Sequence, residues 1–338
     1  MAFANANVSD IIATTIQSRT KKIADNVTSN NALLSRLSTK GKIKPFSGGY
    51  QIMQELSFAE NSNAGWYSGY DLLPVGVADV ISAATYNIKQ AAVPVIISGL
   101  EQLQNSGKEA MIDLLESRLS VAESTMKNLI SGGVYSDGTA AGGKQIDGLD
   151  AAVPVDPTAT PYGGIDGATY EFWRNGVSDN TAAAVTADTI QGLMNLLWSQ
   201  LVRGTDRPDL LPCDSVFWNV YVSSLQSQQR FSNTNDGDAG FTSIKFMDAD
   251  VVLDGGIQTG TFTPTGVTGA NGSPAGTCFF LNTDYLHYRP HRDRNMVPLS
   301  PNRRYATNQD AEVQILAWAG NLTTSGRMFQ GRFDMNGV

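Results

Sequence analysis

A single apolar stripe along residues 108–131 limits the folds that this chain can adopt. Its members recur at steps of three or four residues: Met111, Leu115, Leu119, Ala122, Met126 and Leu129. This spacing predicts an α-helix with one apolar face, ended by Gly132 and Gly133. At about 1.5 Å per residue the helix is a rod of roughly 36 Å. A rod with one apolar face needs a sheet or another helix beside it.

Residues 50–93 have the pattern of a long β-hairpin. Apolar residues alternate with others on both predicted strands: Ile52, Leu56 and Phe58 on the first, and Val80, Ala84, Tyr86 and Ile88 on the second. The tip between them carries aromatic and leucine side chains: Trp66, Tyr67, Tyr70, Leu72 and Leu73. A two-stranded ribbon cannot cover such side chains by itself. We expect another surface to cover them, either on a second chain or on the hairpin's own domain.

The segments before and after these elements differ in composition and in the spacing of their apolar residues. Residues 1–48 show a sparse helical pattern followed by a basic stretch with Gly and Pro, which predicts an arm that a neighbour orders. The alternative is a frayed terminal helix that packs on the chain's own domain. Beyond residue 134 the chain is rich in Gly, Ala, Asp and Thr. A helix is predicted over 187–203, single elements over 217–225 and 244–253, a loop over 255–276, and strands over 279–287, 313–319 and 327–334. This order indicates an α+β fold without a βαβ rhythm.

Composition excludes several classes of protein. The chain has 338 residues, with 24 Lys and Arg against 32 Asp and Glu, for a net charge of −8. A dedicated sequence-reading nucleic-acid binder needs a basic footprint, which an acidic chain lacks. Two cysteines cannot supply a disulfide framework, so we expect a reducing compartment. No apolar run approaches the roughly 20 residues of a membrane helix, and the N-terminus lacks the features of a secretory signal.

Motifs for catalysis, cofactors and metals were sought along the whole sequence. The segment 138–145, GTAAGGKQ, approaches a phosphate loop but has Gln145 where Ser or Thr is needed. His287 and His291 lie among arginines, which favours structural histidines over a catalytic base. The polar run 233–240 lacks the spacing and closing Glu of a calcium loop. We therefore predict a structural or interaction protein with no catalytic residues, no cofactor and no metal.

Five segments resemble, in order, one branch of a known family. They are 30–49 (NNALLSRLSTKGKIKPFSGG), 162–175 (YGGIDGATYEFWRN), 224–231 (SLQSQQRF), 280–299 (FLNTDYLHYRPHRDRNMVPL) and 308–331 (NQDAEVQILAWAGNLTTSGRMFQG). Together with the order of arm, hairpin, long helix, Gly-rich β region and return strand, they resemble the major capsid proteins of tailed bacteriophages, which have the Hong Kong 97-type fold. The resemblance spans nearly the whole chain.

The resemblance implies a division into five parts. These are an N-terminal arm (1–48), an E-loop hairpin (49–93), the spine helix of a P-domain (94–133), an A-domain (134–285), and a P-domain return with a three-fold loop (286–338). It implies inter-subunit contacts at the hairpin tip and three-fold loop: Trp66, Tyr67, Tyr70, Leu72, Arg292, Arg294, Arg303 and Arg304. The spine-helix core would comprise Met111, Leu115, Leu119, Met126 and Leu129.

The resemblance also implies a function. Such a coat protein assembles with itself, as hexamers and pentamers, into an icosahedral shell in the host bacterial cytoplasm and becomes the virion capsid. The shell encloses double-stranded DNA without reading its sequence and touches no membrane. Portal and scaffolding proteins are the implied partners, with a decoration protein as an open option.

Two points stay open at the level of sequence. Some relatives join subunits by an isopeptide bond from a hairpin lysine to a three-fold-loop asparagine, but residues 50–88 contain no lysine and Lys89 lies at the hairpin base. We therefore expect a non-covalent shell. The alternatives to a phage capsid are an encapsulin-like bacterial compartment around a cargo enzyme, and a soluble hydrolase with an unrecognised site.

Overall fold

The computed structural model describes residues 31–59, 61–72, 76–77, 80–99, 108–180, 184–226, 243–254, 273–299 and 311–335. The helices are α1 (Ala32–Thr39), α2 (Lys108–Val134), α3 (Ala140–Gly143), α4 (Leu149–Ala152), α5 (Ile190–Leu201) and α6 (Ser215–Gln226). The strands are β1 (Gln51–Ser57), β2 (Ile81–Asn87), β3 (Lys89–Ser98), β4 (Gly176–Asp179), β5 (Leu210–Cys213), β6 (Ser243–Phe246), β7 (Ala249–Leu253), β8 (Thr277–Phe280), β9 (Leu286–Pro290), β10 (Val297–Pro298), β11 (Ala311–Thr324) and β12 (Gly331–Asp334).

A four-stranded sheet supplies the partner that the long helix α2 requires. Its longest strand, β11, pairs antiparallel with β3 through residues 311–320, with β9 through 320–324, and with β10 at 316–317. On β3, Val95 and Ile97 are buried while Ile96 between them is exposed, as expected for a strand with one covered face. Helix α2 lies against β3 and buries Leu119 and Met126 there.

A six-stranded mixed sheet follows the order β4-β12-β8-β5-β7-β6. Helices α5 and α6 form one apolar core with one face of this sheet, including Leu211, Val251, Phe280 and Phe333. Residues of the opposite parity belong to the other core, with α1, α2 and the four-stranded sheet: Leu210, Val252, Phe279 and Leu281. Because side chains alternate along a strand, the six-stranded sheet separates two apolar cores.

In three of the predicted segments, the strands and apolar cores group some residues differently from the prediction. Residues 94–98, predicted within the spine-helix segment, belong to β3. Strand β12, predicted in the P-domain return, lies in the six-stranded sheet between β4 and β8. Part of the predicted A-domain, including Tyr135, Leu149 and Trp173, is buried in the core of the four-stranded sheet and α2. These placements depend on pairing between distant segments, which local apolar periodicity does not encode.

The second half of the predicted arm packs on the chain's own body. Leu33, Leu34 and Leu37 of α1 are fully buried, and the side chain of Asn31 caps α1 and donates to Ser131 Oγ at 3.0 Å. Residues 42–46 run beside β9, where the Tyr288 amide donates to the Lys42 carbonyl at 3.2 Å and the Lys44 amide donates to the Tyr288 carbonyl at 2.9 Å. The expectation that this stretch needs a neighbour for order is therefore wrong for residues 31–46. Residues 1–30, with most of the predicted arm helix, lie outside the described residues.

Candidate functional site: the assembly surfaces

The predicted hairpin forms and its base is fixed to the body. Strands β1 and β2 pair antiparallel, with Gln51 opposite Asn87 at one end and Ser57 opposite Ile81 at the other. The Tyr86 hydroxyl donates to the Thr324 carbonyl at 3.1 Å, and the ring of Phe58 stacks on Phe172 with centroids 5.2 Å apart. Gly163 has a φ of +61°, and a Cβ there would lie 3.0 Å from the Tyr86 ring, so this close approach requires glycine. Contacts therefore hold the paired strands to the body near both ends, and the tip loop lies beyond them.

The hairpin tip presents apolar side chains to solvent. Trp66, Tyr70 and Leu72 are fully exposed, and Tyr67 is about two-thirds exposed. Polar contacts hold the loop: Asn63 Nδ2 donates to the Gly76 carbonyl at 2.6 Å, and the Ser68 amide donates to Asp71 Oδ2 at 2.8 Å. The alternative that the tip folds back on its own domain is wrong for these four apolar residues. Leu73 lies outside the described residues.

Part of the apolar stripe predicted for the spine helix is buried as expected, and one of its members is not. Leu119 is 1% exposed and Met126 is fully buried, but Leu129 is 49% exposed, and Ile130 is buried in its place. At about 100° per residue, Ile130 lies roughly 20° from Leu119 around the helix axis, whereas Leu129 lies roughly 80° away. The prediction of Leu129 as a core residue is therefore wrong. Met111 and Leu115 lie in α2, but their side chains fall outside the described part.

A second exposed apolar surface, which the sequence did not reveal, lies between β3 and α2. A groove of about 350 Å³, here called the spine groove, is lined by residues 93–96 of β3 and by Ser117, Arg118, Val121, Ala122 and Thr125 of α2. Ile96 and Val121 are exposed on its walls, and the Arg118 guanidinium donates to the Ile96 carbonyl at its rim. The only sequence signal is that Val121 is an apolar residue outside the stripe, and single exposed apolar residues are common on protein surfaces.

The three-fold loop, predicted over roughly 292–310, lies within the described residues only as far as residue 299. Arg292 and Arg294 are exposed, and Arg294 Nη1 donates to Gln90 Oε1 at 3.3 Å. Among the residues that the structure describes, no carboxylate lies within ion-pair distance of either side chain. Arg303 and Arg304 lie outside the described residues. An inter-subunit role for these four arginines stays a prediction.

His287 and Lys89, the two residues whose possible reactivity the sequence raised, both lie against other parts of the same chain. His287 is buried on β9, and burial together with nearby Lys44, Lys42 and Arg289 lowers its pKa to about 4, so the ring is neutral at pH 7. Lys89 Nζ lies 3.1 Å from Asp147 Oδ1 and donates to the Gly143 carbonyl at 2.6 Å. Its amine therefore has intramolecular partners.

Within the described segments, no group of three or more His, Cys, Asp or Glu side chains is arranged to hold a metal ion. In the same segments, no helix combines the length and apolarity needed to cross a bilayer.

The architecture defines a class of protein: an α+β chain with a projecting hairpin, a spine helix on a four-stranded sheet, and a second mixed sheet. This is the Hong Kong 97-type capsid fold. The chain superposes on a protein of the cyanophage A-1(L) capsid asymmetric unit with a TM-score of 0.62 and 15% identity, covering 87% of this chain and 90% of that one. It superposes on the capsid protein of an empty GTA particle with a TM-score of 0.54 and 9% identity, covering 88% and 89%.

A third likeness is to a chain from Gordonia phage Cozz, with a TM-score of 0.52 and 12% identity, covering 88% of this chain and 85% of that one. No protein-family model matches the chain, and no curated protein matches its sequence. The likenesses therefore establish the fold across nearly the whole chain.

Proposed function

We propose that this chain is the major capsid protein of a tailed bacteriophage, and that it assembles with copies of itself into an icosahedral shell around double-stranded DNA. The observation that carries this proposal is the exposed tip at Trp66, Tyr67, Tyr70 and Leu72, on a ribbon anchored at its base, in a chain with a capsid fold. Covering each large apolar side chain on a neighbour contributes roughly 1.5–3 kcal/mol. A shell repeats that contribution at every equivalent contact.

Two further surfaces fit the same role. The spine groove is an apolar surface of matching character for a neighbour's hairpin tip. The exposed Arg292 and Arg294, with Arg303 and Arg304, are suited to carboxylates of neighbouring copies, because the planar guanidinium binds a carboxylate through two hydrogen bonds. We place hexamer and pentamer contacts at these surfaces.

The proposed role is structural rather than enzymatic. The net charge of −8 suits a container whose wall must not hold packaged DNA tightly. The intramolecular partners of Lys89 support a shell without isopeptide bonds. Assembly would take place in the host bacterial cytoplasm with portal and scaffolding proteins, and a decoration protein would bind the finished virion where the phage encodes one.

Analytical ultracentrifugation of the purified full chain, followed by nuclease treatment of the fast-sedimenting fraction, tests this function. We expect particles of shell size, and in infected cells these particles should protect double-stranded DNA. Particles that protect a single enzyme and no DNA would favour the encapsulin-like alternative. A chain that remains monomeric at every concentration would contradict both.

A further inference from the structure

Two cysteines that the proposed function does not use lie next to each other in the six-stranded sheet. Cys213 ends β5, Cys278 lies in β8, and the register of the two antiparallel strands places them directly opposite one another. Both are fully buried and both are free thiols. Both side chains belong to the apolar core that the sheet shares with α5 and α6.

The ladder around them indicates which kind of strand pair they form. Leu210 and Leu281 exchange two backbone hydrogen bonds, of 3.2 and 2.9 Å, and the Asp214 amide donates to the Thr277 carbonyl at 3.1 Å. Pair types alternate along an antiparallel ladder, so the cysteines occupy a non-hydrogen-bonded pair. Opposed Cα atoms in such a pair are about 4.5 Å apart, within the span that a disulfide bridges.

The cysteines also mark a seam in the sheet. On one side lie β4, β12 and β8, and on the other lie β5, β7 and β6. Between Leu210 and Cys213 the seam loses one ladder bond, because Pro212 has no N–H to donate to the opposed Phe279. A covalent bond at this position would join two halves of the sheet where their backbone hydrogen bonding is interrupted.

We propose that Cys213 and Cys278 form an intramolecular disulfide when the folded protein meets a small peroxide-class oxidant. One sulfur attacks a peroxide oxygen and the O–O bond breaks. Water is released, and the attacking cysteine becomes a sulfenic acid. The second sulfur then attacks the sulfenic sulfur, forming the S–S bond and releasing a second water. The two thiols lose two electrons, and hydrogen peroxide accepts both.

Burial sets the conditions for this reaction. Burial, and secondarily the neighbouring Cys213, raises the pKa of the Cys278 thiol, so the reactive thiolate is scarce at neutral pH. Oxidation should therefore be slow at pH 7 and faster as the pH rises. Because both sulfurs are enclosed, an oxidant close to water in size should outpace a bulky disulfide reagent. The inference depends on the six-stranded sheet alone, and it stands or falls independently of shell assembly.

Intact-mass spectrometry of the full chain tests the proposal. The protein is treated with hydrogen peroxide, then denatured in N-ethylmaleimide, with an untreated sample alongside. The untreated chain should carry two maleimide groups, one per cysteine. The treated chain should carry none at its cysteines, and peptide mapping should recover the peptides of Cys213 and Cys278 joined by a bond that dithiothreitol cleaves.

A matched variant separates the disulfide from general oxidation. Oxidised wild type should unfold several degrees above its reduced form, and dithiothreitol should remove that difference. Cys278→Ser should show no such shift, and if it fails to fold, the wild-type mass and peptide map still decide the question. Treated wild type that keeps both thiols, carries oxygen on each sulfur, or links two chains would overturn the proposal.

Discussion

Leu119 and Leu129 form a matched pair of leucines on one helix in different environments. Leu119 is enclosed between α2 and the sheet, whereas half of Leu129 is in solvent. Leu119→Ala should therefore lower the free energy of unfolding by about 2–5 kcal/mol, as large-to-small core changes do. Leu129→Ala should lower it by less than about 1 kcal/mol. Urea unfolding of the unassembled subunit measures both, and equal costs would mean that α2 presents another face to the sheet.

His287 gives the subunit a predictable pH dependence. Its pKa falls from the ordinary 6.5 to about 4 in the folded chain, first because of burial. Between these values the unfolded chain binds more protons, so the free energy of unfolding is highest above pH 6.5 and declines as the pH falls toward 4. His287→Gln should flatten that part of the curve relative to wild type. Thermal unfolding across this pH range measures the effect. If the stability of His287→Gln depends on pH as steeply as that of wild type, the histidine is not buried in its neutral form.

The exposed arginines permit a test of charge separately from geometry. Arg292→Glu with Arg294→Glu should impair shell assembly and change its salt dependence, because partner carboxylates would then be repelled. The control pair, Arg292→Lys with Arg294→Lys, keeps the charge and should assemble more nearly as wild type does. Light scattering across salt concentrations reports both, and the same pair of changes applies to Arg303 and Arg304. Normal assembly with unchanged salt sensitivity would remove the loop from the shell contacts.

At the scale of elements, changes in the hairpin allow the folding of the subunit and the assembly of the shell to be tested separately. Trp66→Ala with Tyr70→Ala should leave the stability of the subunit within about 0.5 kcal/mol of wild type, because neither ring touches its own body. The same variant should lose most of its shell-sized particles in sedimentation. Tyr86→Ala at the anchored base is the control, and it should destabilise the subunit by about 3–5 kcal/mol. A tip variant that unfolds as a monomer would show that the tip belongs to its own core.

Local periodicity predicted α2, α5 and the hairpin, and it failed where long-range pairing decides. The stripe of α2 and the alternation of β1 and β2 lie within short windows, so the sequence encodes them directly. The segment 244–253, predicted as one element, is instead the β6–β7 hairpin, and its turn holds Met247 at a φ of +53°. A methionine in the left-handed region carries no turn signal, because glycine and asparagine are the residues that usually mark it.

The candidate site was predictable to a similar degree. Aromatic residues in a Gly-rich tip indicate an exposed contact surface, and Trp66 and Tyr70 are exposed. The spine groove was not predictable, because it exists only after β3 and α2 pack side by side. Leu129 was misplaced for a related reason: a stripe several residues wide does not fix which edge the sheet covers.

At the scale of the whole molecule, we propose that copies of this chain close into an icosahedral shell. In that arrangement we expect the hairpin tip and the spine groove to gain partners, whereas a lone subunit leaves Trp66, Tyr70 and Leu72 in water. The six-stranded sheet and the spine helix form the subunit body, and we propose that the hairpin tip and the basic loop make contacts beyond it.

Cryo-electron microscopy of particles from the full chain can decide whether such shells form. We expect closed shells with pentamers and hexamers, in which Trp66 and Tyr70 of each copy are covered by a neighbouring subunit and no covalent bond joins the chains. Shells in which the hairpin tips remain in solvent would remove the tip from the assembly contacts. A preparation that shows only dispersed subunits, under conditions where the chain is folded and concentrated, would rule out the proposed shell.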